Sequence, residues 1–236
     1  MTSAAILDIK DVTKRFGGVT AVNRCSLSFA PGKIHGLIGP NGSGKTTLFN
    51  CITGLESIQG GEIRFKGKRI DGLKPYKVAR RGMGRTFQII RVFPQLTAFE
   101  NLLAVTDGPI EEARQRAKEL LTFVTLDRLR DEYAGNLSYG QQKLLEFIRV
   151  LMTDPELILL DEPAAGVNRT LLNELLSALG RLRDQGKTII VVEHDMKVVM
   201  GLCETVYVLD YGEKIAEGPP AVIQKNERVI EAYFGR

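Results

Sequence analysis

Gly39-Pro40-Asn41-Gly42-Ser43-Gly44-Lys45-Thr46-Thr47 lies between an apolar run, Ile34-His35-Gly36-Leu37-Ile38, and a helix-like run, Thr47-Leu48-Phe49-Asn50-Cys51-Ile52-Thr53, that stops at Gly54. Strand, glycine-rich loop and helix come in the order that a phosphate-binding P-loop requires. Gly39, Gly42 and Gly44 let the backbone curl so that successive N–H groups point inward, and the positive end of the following helix favours an anion there. In such a loop Lys45 reaches the β- and γ-phosphates of a nucleotide and the Thr46 hydroxyl holds Mg²⁺. Pro40, Asn41, Ser43 and Thr47 complete the candidate nucleotide-binding set. The plain alternative is a flexible glycine turn with a lysine nearby, and the flanking strand and helix count against it.

Two later runs, Leu157-Ile158-Leu159-Leu160 and Thr188-Ile189-Ile190-Val191-Val192-Glu193, have the character of parallel strands buried on both faces. Each ends in residues suited to chemistry. Asp161 and Glu162 follow the first, at the strand end where α/β ligands gather: Asp161 positions Mg²⁺ and its waters, and Glu162 orients or polarises an attacking water. His194 follows the second, placed to touch a γ-phosphate as a neutral imidazole. A simple Asp-Glu-Pro turn and a structural histidine are the bland alternatives.

Gln88 ends a glycine-punctuated run, Arg81-Gly82-Met83-Gly84-Arg85-Thr86-Phe87-Gln88, which reads as a strand leaving the sheet. Its amide is in reach of Mg²⁺ or the attacking water, although an isolated glutamine is equally an exposed loop residue. Asn136-Leu137-Ser138-Tyr139-Gly140-Gln141-Gln142 opens a helix whose inner face carries Leu144, Leu145, Ile148, Leu151 and Met152. With Ser138 as its cap, the start of that helix is either a second phosphate-binding end or an ordinary N-cap.

The amino-terminal run from Ile6 to Phe16 alternates apolar and polar residues, as do Ser26-Leu27-Ser28-Phe29 and Glu62-Ile63-Arg64-Phe65, with turns at Pro31-Gly32 and Gly60-Gly61. An antiparallel β layer beside the glycine loop is expected. Phe16, at the end of the first strand, either packs in a turn or offers its face to an adenine ring. Ala113, Ala117, Leu120, Leu121 and Val124 form a helical stripe, so a helical insertion interrupts the α/β pattern. A hairpin around Tyr211-Gly212 and a short helical tail close the chain.

A chain of 236 residues with 44% hydrophobic and 25% charged residues suits an ordinary globular protein with ample core. The net charge of +4 comes from scattered rather than clustered Lys and Arg, so no nucleic acid partner is expected. Cys25, Cys51 and Cys203 share no short spacing, which argues against a zinc site or a disulfide framework. With no apolar run of transmembrane length and no signal peptide, the expectation is a cytoplasmic protein, brought to a membrane only by an embedded partner.

Taken in order, these motifs resemble those of the ATP-binding subunits of ABC transporters over essentially the whole chain. By that resemblance residues 39–46 are the Walker A loop, Gln88 the Q-loop residue, Leu137-Ser138-Tyr139-Gly140-Gln141 the signature, residues 157–161 Walker B, Glu162 the catalytic glutamate and His194 the switch histidine. Phe16 takes the adenine-stacking position. Tyr139 departs from the glycine usual in the signature, and Asn168 stands where the D-loop usually has Asp. Gly84-Arg85-Thr86-Phe87-Gln88, residues 161–168, residues 211–218 and the closing Val229-Ile230-Glu231-Ala232-Tyr233-Phe234-Gly235 look like the ATPases of prokaryotic branched-chain amino-acid or urea importers.

The resemblance implies an α/β fold: a P-loop NTPase (RecA-like) core with an antiparallel β subdomain and an inserted α-helical subdomain. One domain over 1–236 would divide into residues 1–87 (β subdomain and first part of the core), 88–152 (helical subdomain with signature) and 153–236 (second part of the core and tail). It implies ATP and Mg²⁺, with Thr46, Gln88 and Asp161 around the metal and Glu162, His194 and Gln88 acting in hydrolysis. It further implies a second ATPase subunit whose ATP meets this chain's signature, integral membrane permease subunits and, indirectly, a substrate-binding protein. A soluble cassette ATPase acting on DNA or ribosomes is the competing reading, but such relatives usually carry tandem cassettes or long coiled-coil insertions and this chain has neither. A GTPase or small-molecule kinase is weaker, because no Asn-Lys-x-Asp motif occurs.

Overall fold

The computed structural model describes residues 5–106 and 108–234. Gly235 of the closing motif lies outside the described residues. In chain order the first elements are β1 (Leu7–Phe16), β2 (Val19–Phe29), β3 (Ile34–Ile38), α1 (Lys45–Ile52), β4 (Gly60–Phe65), β5 (Lys68–Arg69), α2 (Pro75–Ala79) and β6 (Met83–Arg85). A helical stretch follows, with α3 (Ala98–Leu103), α4 (Ile110–Phe123) and α5 (Tyr139–Leu151). Then come β7 (Leu157–Asp161), α6 (Arg169–Asp184), β8 (Thr188–Val192), α7 (Met196–Leu202), β9 (Thr205–Asp210), β10 (Glu213–Gly218), α8 (Pro220–Ile223) and α9 (Glu227–Phe234).

These strands form two sheets, one in the order β2-β1-β4-β5 and one in the order β10-β9-β3-β8-β7-β6. The first is antiparallel, as the alternating amino-terminal strands lead one to expect. In the second, β9, β3, β8, β7 and β6 run parallel, and β10 returns antiparallel to β9. Every residue of β3, β7 and β8 is buried, because a parallel strand between neighbours is covered on both faces. The period-two alternation along them then decides which core each side chain joins. Leu37, Leu157, Leu159, Ile190 and Val192 face a core shared with α1 and the antiparallel sheet. Ile38, Ile158, Leu160, Ile189 and Val191 face the core built with α5 and α6.

The helical stretch hangs on that second core. Ala113, Ala117 and Leu121 of α4 are buried, whereas Leu120 only packs partly against the cluster. Ser138 caps α5 by accepting from Gln141 N–H, and the Gln141 side chain accepts in return from Ser138 N–H, a reciprocal capping box. Asn168 caps α6 in the same sense, accepting from Leu171 N–H at 3.0 Å. Among the described residues no helix is long and apolar enough to cross a membrane.

Candidate functional site

Because β3, β7 and β8 are neighbours in one parallel sheet, the chemistry at their carboxyl ends converges. The glycine loop leaves β3, Asp161 ends β7 with Glu162 next in the chain, and His194 follows β8. Asn41, Gly42, Gly44, Lys45, Thr46, Thr47, Gln88, Glu162 and His194 line one cavity of about 420 Å³, together with Ala21. Residues far apart in the chain thus share one small volume.

The loop needs its glycines for identifiable reasons. Gly39 has φ 152°, and a Cβ there would lie 2.1 Å from the Leu209 carbonyl oxygen. Gly44, the N-cap of α1, has φ 100°, and its Cβ would meet the Ala21 carbonyl oxygen at 2.3 Å. From outside, Gly212 N–H donates to Ser43 O at 3.0 Å and Asn23 N–H donates to Gly212 O at 2.9 Å, so β2 and the β9–β10 turn clasp the loop. Within it, Lys45 Nζ donates to Gly39 O at 2.8 Å, Pro40 O at 2.9 Å and Ser43 Oγ at 3.2 Å. Burial pulls the Lys45 ammonium below the usual lysine range, opposed by the charges of Glu162 and Asp161.

Glu162 is the junction of the catalytic candidates. Its Oε1 lies 2.6 Å from His194 Nε2, and its Oε2 accepts from Gln88 Nε2 at 3.2 Å. Both carboxylate oxygens are therefore oriented by side chains from other segments. Asp161, one residue earlier, points elsewhere: its Oδ2 pairs with Arg85 Nη2 at 3.2 Å, both side chains being almost fully buried. Burial raises the Asp161 carboxyl above its usual range, and Arg85 works against that. Asp161 is not among the residues lining the cavity.

Phe16 and the signature residues stand apart. Phe16 is half exposed, with Lys14 Nζ 4.7 Å from its ring centroid, and does not line the cavity. Neither does any of Leu137, Ser138, Tyr139, Gly140 or Gln141. Tyr139 is 50% exposed at the start of α5, whereas Leu137 is buried in the core shared with α5 and α6.

Several residues of this site gave no usable signal in the sequence. Arg85 Nη1 also donates to Asn50 Oδ1 at 2.8 Å and Thr53 Oγ1 at 3.0 Å, tying the end of α1 to Asp161. Arg85 sits inside the quoted glycine-punctuated run, but an arginine there reads as a surface residue until its burial is known. Glu193 accepts from Ala164 N–H at 2.7 Å through Oε1 and from His194 N–H at 3.1 Å through Oε2, joining the segments after β7 and β8. Lys143 Nζ donates to the Glu162 carbonyl oxygen at 2.7 Å.

Replacing Arg85 with Ala is expected to destabilise the fold by about 2 kcal/mol. This is below the usual cost of orphaning a buried charge, because Asp161 can take up a proton instead. Urea unfolding checks this, and a variant as stable as the parent would show that the pair is energetically idle.

Against known proteins, the ABC transporter family model matches residues 22–165. A second model, for branched-chain amino acid ATP-binding cassette transporters, matches residues 213–236. The high-affinity branched-chain amino acid transport ATP-binding protein BraF of Pseudomonas aeruginosa is 40% identical, over 99% of this chain and 99% of that protein. The fold is similar to the crystal structure of a nucleotide-free ATP-binding cassette from an ABC transporter, with a TM-score of 0.91 and 34% identity, covering 98% of this chain and 100% of the other. It is also similar to a dimeric cassette in a post-hydrolysis state bound to ADP and Pi, with a TM-score of 0.82 and 30% identity, covering 91% and 98% respectively.

Proposed function

The chain belongs to the ABC transporter ATP-binding family, and on that premise we propose that it binds and hydrolyses ATP to drive an importer of branched-chain amino acids. The observation that carries the proposal is the meeting of Gln88, Glu162 and His194 at the P-loop cavity while the signature lies outside it. One chain then offers two different faces, and a head-to-tail pair completes each site, this chain's Ser138 turned to the nucleotide held by its partner. The likeness to a dimeric cassette supports this pairing, and the likeness to BraF supports the substrate class.

In the proposed mechanism the loop N–H groups and Lys45 hold the β- and γ-phosphates, and Phe16 stacks the adenine. Thr46 and Gln88, which line the cavity, would hold Mg²⁺ together with the carboxylate of Asp161, whose Oδ2 is paired with Arg85 and which does not line the cavity; hydroxyl, amide oxygen and carboxylate are all hard oxygen ligands. When bound, that ion neutralises charge on the phosphate oxygens. Among the described residues no group of three or more His, Cys, Asp or Glu is arranged to hold a metal. Mg²⁺ held by a few protein oxygens, phosphates and water needs no such cage. Glu162 accepts a proton from the attacking water while Gln88 and His194 keep its carboxylate aimed, and His194 also contacts the γ-phosphate.

The permease contact is proposed at the apolar groove of about 270 Å³ lined by Leu55, Tyr76, Val78, Met83 and Phe87. Ile89, just beyond Gln88, is 80% exposed. Phe87, which lines the groove, is the chain neighbour of Gln88, so movement of a docked segment there would reach Gln88 through the backbone and tie transport to hydrolysis. Through the permease the chain would sit on the inner face of the membrane and act with a substrate-binding protein.

Cells lacking this chain should lose high-affinity uptake of radiolabelled leucine, and the tagged chain should copurify with polytopic membrane subunits. Intact leucine uptake with lost urea uptake would reassign the substrate. Copurification with ribosomes in place of membrane subunits would reject transport altogether.

A further inference from the structure

We propose that Lys143 is a positioning residue for hydrolysis: its buried ammonium holds the backbone of Glu162 in the conformation that aims its carboxylate at the nucleotide cavity, joining the signature helix to the hydrolytic centre of the same chain. This rests on Glu162 being the hydrolytic base. Three observations converge on it.

First, Glu162 has φ 50°, in the left-handed region that a side chain larger than glycine's rarely occupies without support. Its N–H donates to Val192 O at 2.9 Å, and its carbonyl receives Lys143 Nζ at 2.7 Å and Ala165 N–H at 3.2 Å. The turn is pinned at both backbone polar groups. Of these contacts, only that from Lys143 comes from a side chain, and it comes from α5.

Second, Lys143 is only 8% exposed although it lies just one turn into α5. A lysine head is rarely withdrawn from water unless something fixes it. Burial pulls its ammonium below the usual lysine range, while Glu193, Glu146, Glu162 and Asp161 all pull it back up. It is thus a buried cation among the acids of the hydrolytic centre.

Third, the signature turn is fitted to the segment after Glu162. Lys143 Nζ lies 5.5 Å from the Tyr139 ring centroid. A Cβ on Gly166, whose φ is 71°, would come within 2.8 Å of Tyr139 Cε1. A Cβ on Gly140 would come within 2.7 Å of Leu171 Cδ1. Tyr139, the departure from the usual signature glycine, therefore rests on Gly166 and covers Lys143. Contact of Ser138 with a partner's nucleotide is relayed to this chain's own Glu162 through a single side chain.

The test is steady-state ATPase kinetics of the purified full chain with Mg-ATP, with kcat and KM separated and melting temperature measured alongside. Lys143→Met keeps the unbranched apolar stem and removes the donor and charge. It should lower kcat by about 10- to 100-fold, the scale of a misplaced catalytic group, with KM within about threefold of the parent. Lys143→Arg should restore kcat to within about threefold. If Lys143→Met does not fold, Lys143→Gln, whose polar head falls one bond short of the Glu162 carbonyl, gives the same readout. A parental kcat, a loss confined to KM, or failure of Lys143→Arg to restore turnover would each overturn the proposal. Glu162→Gln separates the two levels: turnover lost there but kept in Lys143→Met rejects the role of Lys143 alone, whereas turnover kept in Glu162→Gln rejects the base assignment beneath it.

Discussion

Glu162→Gln is expected to lower ATP turnover by about 10²- to 10⁴-fold, the contribution of a positioned general base, while nucleotide affinity stays within about threefold. The substitution is nearly isosteric. The new amide oxygen still accepts from His194 Nε2, now 2.6 Å from Glu162 Oε1, and Gln88 can turn its own amide over to present oxygen in place of its present 3.2 Å donor. Geometry is kept and basicity is lost, so an effect on turnover alone isolates proton transfer from binding. Phosphate release measures the first quantity and calorimetry with ATP the second. If hydrolysis is what opens the proposed head-to-tail pair, ATP should also trap this variant as a dimer on size exclusion. Turnover within about threefold of the parent would remove Glu162 from the chemistry.

Lys45→Ala is expected to act on the other quantity, weakening ATP binding by about 10²- to 10⁴-fold. The size follows from the loss of two charge-assisted hydrogen bonds to phosphate, each worth about 1.5–3 kcal/mol. The substitution has a further effect peculiar to this loop. Lys45 Nζ already braces Gly39 O, Pro40 O and Ser43 Oγ, so its removal takes a donor from all three, Pro40 O keeping only Ser43 N–H at 3.2 Å, and loosens the curl that aims the N–H groups. Calorimetry with ATP reads the affinity. A melting curve separates lost binding from lost structure, since the core cluster around α1 does not depend on the loop. An affinity within about threefold of the parent would detach Lys45 from phosphate binding.

The two variants probe parts of the molecule that were unequally visible in the chain itself. Residues 39–47 declare themselves because the required property is local: Gly39 and Gly44 take φ values of 152° and 100° that other residues resist, directly between a strand and a helix. The buried strands β7 and β8 were legible for a related reason. A strand covered on both faces must be apolar throughout, so the acids and the histidine at its ends stand out as exceptions. The cap of α5 was legible too, Ser138 and Gln141 being three residues apart. Element limits were less so. The first helix begins at Lys45 rather than Thr47, and β2 begins at Val19, well before its clear alternation at Ser26. Helices α2 and α7 are short and go unpredicted, as does α6, although its amphipathic run behind the Asn168 cap was there to be read.

By itself, then, the order of residues determined the glycine loop, the two buried strands, the acids and histidine that follow them, and hence the family, because each depends on backbone conformation or burial pattern within a few neighbouring positions. Only the tertiary structure decided that Arg85 pairs with Asp161, that Glu193 joins the segments after β7 and β8, and that Lys143 reaches the carbonyl of Glu162. In sequence a lysine, an arginine or a glutamate is most simply a solvated surface group. Packing of distant elements removes the water around these three and replaces it with a specific partner, and that exchange leaves no periodicity or spacing in the chain to mark it.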